Sequence, residues 1–519
     1  MAAPVPMQTA PLMRSMKLMG VLFLTLSAET PASSVFVIVP DVLSQAGTGA
    51  LISMGFAALI ALCMAQVYGE LSSAFPIAGG EYSLIGRTIG PLSAFVVMAL
   101  NLTNTLLGAA VLALGVSEYF GAMIPGLQPI PTALLVVIGS TLLGVLNIRT
   151  NAFVTGGFLM AEILAVMVLA ALGLMHPMRS PLALLAHPQT LSGGALVPTP
   201  AAALGLAVAV AIFAYDGYGG AVYFAEETHE APRRVGQAIV LALVITLVAE
   251  LVPLTAMLTG APDLTGLLSA HAIFMSFIDS QGGHTLALLL GAAIGLAIVN
   301  AVIAVVLLSA RQLYSTGRDE TWAGPVNRLL ALVHPRFGSP WAATLVTGAL
   351  TCGLCFIPLR LLLIATGTSV AIVYGFLCVG LMAGRASGVT RHGLFRLWGY
   401  PLTPIVALIA LGGVLWADWL DPGDGRSGLI AALAVAALSA GYYLIVLRRR
   451  GWVLRGPEDE AAIGPPDAPL WGSCHEVTEG AAPPSPAPAA QTGLRRDRTQ
   501  RRRCPLRPLR GHFPQRGKT

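Results

Sequence analysis

Long apolar stretches recur along the chain with short polar interruptions. Twelve can be marked, near 18–40, 48–74, 89–116, 129–147, 152–175, 199–227, 235–260, 283–310, 340–358, 361–384, 401–420 and 427–447. A helix of about 20 apolar residues crosses roughly 30 Å of hydrocarbon. In lipid, backbone polar groups must be satisfied within the spanning segment, which predicts helices here. The runs are too continuous for the alternating strands of a membrane barrel. The pattern predicts an all-α polytopic membrane protein: a short segment at 1–17, seven helices over 18–260 and five over 261–447.

Two of the stretches are interrupted. The first carries Ser27-Ala28-Glu29-Thr30-Pro31-Ala32-Ser33-Ser34 in its middle. Pro31 removes a backbone donor and clashes with a preceding helical turn. Glu29 is an ionisable group at membrane depth, which points to a pair, a proton or a cavity. The sixth stretch is smooth to Phe213, then reads Ala214-Tyr215-Asp216-Gly217-Tyr218-Gly219-Gly220 before apolar sequence resumes at Ala221. Three glycines in four residues are poor helix formers. The predicted breaks lie near 28–34 and 214–220. Interrupted helices at corresponding positions of two halves are the sequence pointer to an inverted-repeat transporter, with the substrate at the breaks. The alternative is that proline and glycine only kink two packed helices.

Charge fixes an orientation. With the N-terminus inside, thirteen basic residues from Arg14 to Arg396, Arg149 and Arg336 among them, fall on the inner side; Arg179, Arg360 and Arg426 fall outside. That asymmetry predicts a multi-pass protein of the inner (cytoplasmic) membrane with both termini in the cytoplasm. The first helix follows Arg14 and Lys17 without a clean cleavage site and reads as retained rather than as a signal peptide. Only 11% of residues are charged, against about 25% in soluble domains, so lipid is the solvent for much of the chain. The net charge of +5 owes much to a Pro-, Ala- and Arg-rich segment at 448–519, which is predicted to be a disordered cytoplasmic tail. No folded basic domain points to nucleic acid. Cys352 and Cys355 are one helical turn apart, a spacing that an apolar helix gives by chance, and no disulfide framework or metal site is read from the six cysteines.

Three further segments carry a family resemblance. They are Glu70-Leu71-Ser72-Ser73-Ala74-Phe75-Pro76-Ile77-Ala78-Gly79-Gly80-Glu81-Tyr82, Ala225-Glu226-Glu227-Thr228-His229-Glu230-Ala231-Pro232-Arg233-Arg234, and Arg311-Gln312-Leu313-Tyr314 with Arg318-Asp319. In this order the chain resembles the amino acid–polyamine–organocation permease superfamily over roughly 15–450. The resemblance implies the leucine-transporter fold, five plus five helices in inverted repeat and then two accessory helices. It implies no enzyme, no cofactor and no metal. The substrate would be an amino acid or a related amine or polyamine, moved by alternating access and coupled to protons.

By the same resemblance, Thr30, Ala32, Ser33, Ser34 and Val35 stand where the family's Gly-Ser-Gly segment holds a substrate carboxylate; here Ala32 and Ser34 replace the glycines. Phe213, Ala214, Tyr215, Asp216, Gly217 and Tyr218 stand at the matching break, with Tyr215 or Tyr218 as an aromatic gate. Glu162 lies alone in the fifth stretch, near where the family often has a Lys. It could cycle protons with Glu29, or stay protonated and hydrogen-bond a neighbouring helix. Asn104 and Ser309 complete the polar cavity. Glu226, Glu227, Arg233 and Arg234 read as an inner gate or loop clamp. An exchanger and a non-transporting sensor on the same fold are the alternatives.

Overall fold

The computed structural model describes residues 16–77, 80–121, 123–124, 126–145, 151–334 and 339–452. Arg14, Gly79, Arg149, Arg336 and the tail at 453–519 lie outside the described residues, and so do the expectations placed on them.

Each of the twelve expected stretches contains helix within its described residues. The first half holds α1 (Leu18–Glu29), α2 (Pro31–Val37), α3 (Val39–Ala46), α4 (Ala50–Ala74), α5 (Glu81–Thr88), α6 (Pro91–Gly121), α7 (Pro129–Val145), α8 (Asn151–Met175), α9 (Pro181–Ala186) and α10 (Ala201–Ala214). A 3-10 segment, Tyr218–Glu227, follows α10. The rest holds α11 (Ala231–Gly260), α12 (Leu264–Ser269), α13 (Ile273–Gly282), α14 (His284–Arg318), α15 (Gly324–Leu330), α16 (Trp341–Leu354), α17 (Leu359–Ser387), α18 (Leu402–Leu420) and α19 (Asp424–Tyr442). Among the described residues, nine helical stretches are long and apolar enough to cross a membrane; the first, Leu18–Ala74, contains two expected spans. α7 and α16 are shorter apolar helices at the fourth and ninth positions. Large apolar side chains such as Leu135, Met160, Ile409 and Leu438 point outward. An exposed apolar surface of this extent fits a lipid boundary.

The first break is narrower than the sequence suggests. It is confined to Thr30, which adopts the left-handed conformation (φ 47°, ψ 63°) between α1 and α2. Pro31 opens α2, where a missing N–H has no partner to lose. Ala32, Ser33 and Ser34 are therefore helical rather than part of an open loop. The second break also differs. Gly217 has φ 133°, a conformation that a side chain strongly disfavours, and the chain resumes as the tighter 3-10 helix rather than as α-helix at Ala221.

The all-α architecture carries one small exception. Strands β1 (Gln189–Ser192) and β2 (Ala195–Pro198) pair antiparallel across Gly193-Gly194, with Gln189 opposite Pro198. Thr48 Oγ1 accepts the Gln189 N–H at 2.8 Å, so the hairpin buttresses the bend between the first two spans. At the opposite end of the bundle, the Met16 N–H donates to the Glu227 carbonyl and the His229 N–H to the Met16 carbonyl, both at 2.9 Å. That pairing ties the start of α1 to the end of the 3-10 segment. The core is tight: a Cβ on Gly367 of α17 would lie 2.0 Å from the Ala209 carbonyl oxygen of α10. Small residues let membrane helices approach this closely. The first five residues of the expected tail are ordered, with Arg450 bonded to the Trp322 carbonyl at 2.9 Å and Trp452 to that of Asp319 at 3.0 Å.

Candidate functional site

The two breaks meet. Ser34 Oγ, in the first turn of α2, donates to the Ala214 carbonyl at the end of α10 at 2.8 Å. Gly217 packs directly on Glu29, whose Cγ would stand 2.8 Å from an added Cβ. Ser33 Oγ donates to Glu162 Oε1 at 3.2 Å, joining the first break to α8. Ala32, Ser33, Phe36 and Glu162 line a pocket with Ile294 and Ala297 of α14, and it has no room for a water-sized molecule. Ser34→Ala should cost about 1 kcal/mol, the usual worth of one buried hydrogen bond. Thermal unfolding of the purified protein in detergent would register it, and an unchanged midpoint would show that the bond contributes nothing.

The remaining expected residues divide. Thr30, Val35, Ala214, Tyr215 and Tyr218 are buried around the breaks, and Phe213 reaches Gly108 of α6. The Tyr215 hydroxyl and the Asn104 side-chain carbonyl are buried without a hydrogen-bond partner among the described residues. Ser309 is not drawn into the cluster, because its hydroxyl bonds to the Val305 carbonyl one turn back at 2.8 Å. Arg234 pairs within its own helix turn with Glu230, at 3.0 Å. The Glu226 side chain lies outside what the structure describes.

Below the second break runs a chain of aromatic hydroxyls. Tyr374 of α17 donates to Asp216 Oδ1 and Tyr218 donates to Tyr374, each at 2.9 Å. Tyr68 of α4 packs edge-on against both tyrosine rings. Its hydroxyl donates to Glu81 at 3.1 Å, and Glu81 also accepts from Asn101 at 2.9 Å and Tyr223 at 2.8 Å. Burial pushes the Glu81 carboxyl above its ordinary value, while its hydrogen bonds pull the other way. On the opposite side, Phe36 packs edge-on between Tyr119 and Phe274, and the Tyr119 hydroxyl donates to the Phe36 carbonyl. Aromatic side chains thus pack on both sides of the breaks.

Sequence reasoning misses several of these groups. Glu250 is an isolated acid in the middle of α11, fully buried. The rule that singles out Glu29 and Glu162 applies to it equally. Asp418 of α18 is likewise buried and accepts from Thr368 at 2.7 Å, which makes Thr368 an interhelical tie. Tyr68 and Tyr374 give no such signal, since a tyrosine in an apolar helix is unremarkable until its partners are known. No group of three or more His, Cys, Asp or Glu side chains suited to a metal ion occurs among the described residues.

A buried ion cluster fastens the end of the bundle that carries Met16. Glu70 of α4, wholly buried, accepts from Arg385 Nε at 2.7 Å and Nη2 at 2.5 Å, from Arg396 at 3.2 Å and from the Leu397 N–H at 2.8 Å. Ser73 Oγ accepts the Leu394 and Phe395 N–H groups at 2.8 Å and donates to the Pro232 carbonyl. The Phe395 ring rests on Gly69 and Gly236. The segment between α17 and α18 therefore locks α4, α11 and α17 together.

Known proteins resemble this chain in sequence. The sequence pattern of the family described as "Amino acid permease" matches residues 17–435. The methylthioribose transporter of Bacillus subtilis is 26% identical over 434 residues, covering 78% of this chain and 88% of that protein. The branched-chain amino acid permease BcaP of the same organism is 24% identical over 400 residues, covering 73% and 82%. The cationic amino acid transporter 7, chloroplastic, of Arabidopsis thaliana is 24% identical over 336 residues, covering 61% and 56%.

Proposed function

Because the chain belongs to the amino acid permease family, we propose that it carries an amino acid or a related amine or polyamine across the cytoplasmic membrane by proton-coupled alternating access. Membership makes it a membrane transporter rather than an enzyme. The finer reading rests on one observation above all: the two broken helices are joined at their breaks by the Ser34–Ala214 hydrogen bond. Carbonyl ends of α1 and α10 and the amide end of α2 converge there. Helix ends of opposite sign suit the ammonium and carboxylate of a zwitterion.

Substrate would sit among Thr30 to Val35 and Phe213 to Tyr218. The Asp216–Tyr374–Tyr218–Tyr68 chain would close one side and Phe36 with Tyr119 and Phe274 the other. Both termini would face the cytoplasm, as the basic residues suggest. The named relatives are transporters of methylthioribose, of branched-chain amino acids and of cationic amino acids, so the substrate must be found by a screen. The experiment is uptake of labelled leucine, arginine, methylthioribose and putrescine into proteoliposomes, with and without an inward proton gradient. Gradient-driven accumulation of one of them is expected. No accumulation of any amino acid or amine under any gradient sinks the reading, and movement only against preloaded substrate would favour exchange.

Glu162 is the coupling group in this reading, because one oxygen meets Ser33 and the other is buried without a partner among the described residues. Glu162→Gln should lower gradient-driven uptake at least tenfold, the factor set by about 1.4 kcal/mol, while leaving counterflow between preloaded vesicles largely intact. Full gradient-driven uptake by this variant would remove Glu162 from the coupling role.

A further inference from the structure

Glu250 lies in Val248-Ala249-Glu250-Leu251-Val252-Pro253 of α11, and nothing in the transport reading so far uses it. It is completely buried, and Glu29 opposite is nearly so. The hydroxyls of Thr246 and Ser34 approach Glu29 and Glu250, but Ser34 donates to the Ala214 carbonyl, and neither carboxyl has a hydrogen bond of good geometry among the described residues. The two are electrostatic neighbours, with Ser34 beside Glu250 and Thr246 beside Glu29. Asp216 and Tyr218 are electrostatic neighbours of Glu29, and Tyr215 is one of Glu250, its own buried hydroxyl without a partner among the described residues. α1 and α2 both pack against α11, which brings the acids together.

Removing a carboxylate from water without a counter-charge costs several kcal/mol, and a second one beside it raises that cost. The surroundings sharpen the problem. α1 and α10 both end at this point, and a helix C-terminus carries partial negative charge. Among the described residues no basic side chain interacts with either carboxyl. A divalent metal fits poorly, since no set of three or more candidate ligands suited to a metal is found among the described residues.

We propose that Glu29 and Glu250 form an ammonium subsite and that the substrate is a net-cationic amine, a basic amino acid or a diamine. This rests on the transport reading above. The ammonium donates to both carboxyls, and its single positive charge takes the place of one of the two protons that neutralise them when the site is empty; that proton leaves to solvent, and the second stays on the pair.

The test compares proteoliposome uptake of labelled arginine and putrescine with that of leucine, in wild type, Glu250→Gln and Glu29→Gln. Arginine or putrescine should accumulate in wild type and fall tenfold to a hundredfold in either variant, consistent with loss of a charge-assisted hydrogen bond. Glutamine keeps the shape of the neutral carboxyl that the empty site holds, so melting temperatures should hold. If Glu250→Gln fails to fold, Glu29→Gln and Glu250→Asp carry the test. Leucine transport with indifference to both cations overturns the subsite and leaves the transport reading intact. Cation uptake unchanged in the variants overturns it, and variants that lose only proton drive while cation counterflow persists overturn it in favour of a proton site. Failure to move any of the three, with no other amino acid or amine moved, falls on the transport reading itself.

Discussion

Gly217→Ala should abolish most uptake while leaving the protein in the membrane. Gly217 has φ 133°, and an added Cβ would meet Glu29 at 2.8 Å from Cγ and 3.1 Å from Cα. A conformation reserved for glycine is strained by roughly 1–3 kcal/mol when a side chain occupies it. The clash adds to this, because the nearest atoms include α1 backbone and not only a flexible tip. A disturbance of that size shifts a conformational equilibrium about 5- to 150-fold, and it falls where the breaks touch. The measurement is initial-rate uptake in proteoliposomes, normalised to inserted protein. Wild-type rates in Gly217→Ala would mean that the close approach of the breaks is irrelevant to transport. Gly220 is the control, with open space where a Cβ would stand and no positive φ, and its alanine variant should behave as wild type.

Arg385→Ala should be the most destabilising single change at the Met16 end. Glu70 is fully buried and its carboxylate is shared between Arg385, Arg396 and the Leu397 amide. Removing one member of a buried pair leaves an uncompensated charge, at a cost of about 3–5 kcal/mol. Arg396 is 44% exposed and holds only one Glu70 oxygen, so it compensates in part. Thermal unfolding in detergent should show the loss. The double variant Glu70→Gln/Arg385→Met should recover much of it, because replacing a buried ion pair by neutral groups is often tolerated. Equal stability of Arg385→Ala and wild type would show that the cluster does not fasten this end.

Architecture is the legible part of the sequence. Hydropathy places the spans because lipid imposes one rule on every residue in them, and the matched anomalies at Glu29-Thr30-Pro31 and Asp216-Gly217 mark both breaks. Details of the breaks are less accessible. Proline reads the same whether it interrupts a helix or opens the next, and only the left-handed Thr30 decides. The hairpin at 189–198 is easily overlooked between membrane spans, although Ser192-Gly193-Gly194 between apolar runs is a turn signal. Candidate-site residues separate by how local their signal is. Glu162 and Glu29 stand out against apolar neighbours, and Glu250 does so equally. The tyrosines of the hydroxyl chain come from positions 68, 218 and 374, and no periodicity connects them. Ser309 has the right type and depth but is satisfied by its own helix.

The pairing of Met16 with Glu227 and His229 has an energetic consequence. Two amide hydrogen bonds contribute net about 0.5–1.5 kcal/mol each, a few multiples of thermal energy. They hold α1 to the 3-10 segment, yet ordinary fluctuation can part them. The Glu70 cluster, with four hydrogen bonds to a buried carboxylate, does not part so easily. In the proposed alternating-access cycle, Glu70 would act as the hinge post and Met16 as the leaf, and the amino-terminal half of the first helix would be the first segment to swing free.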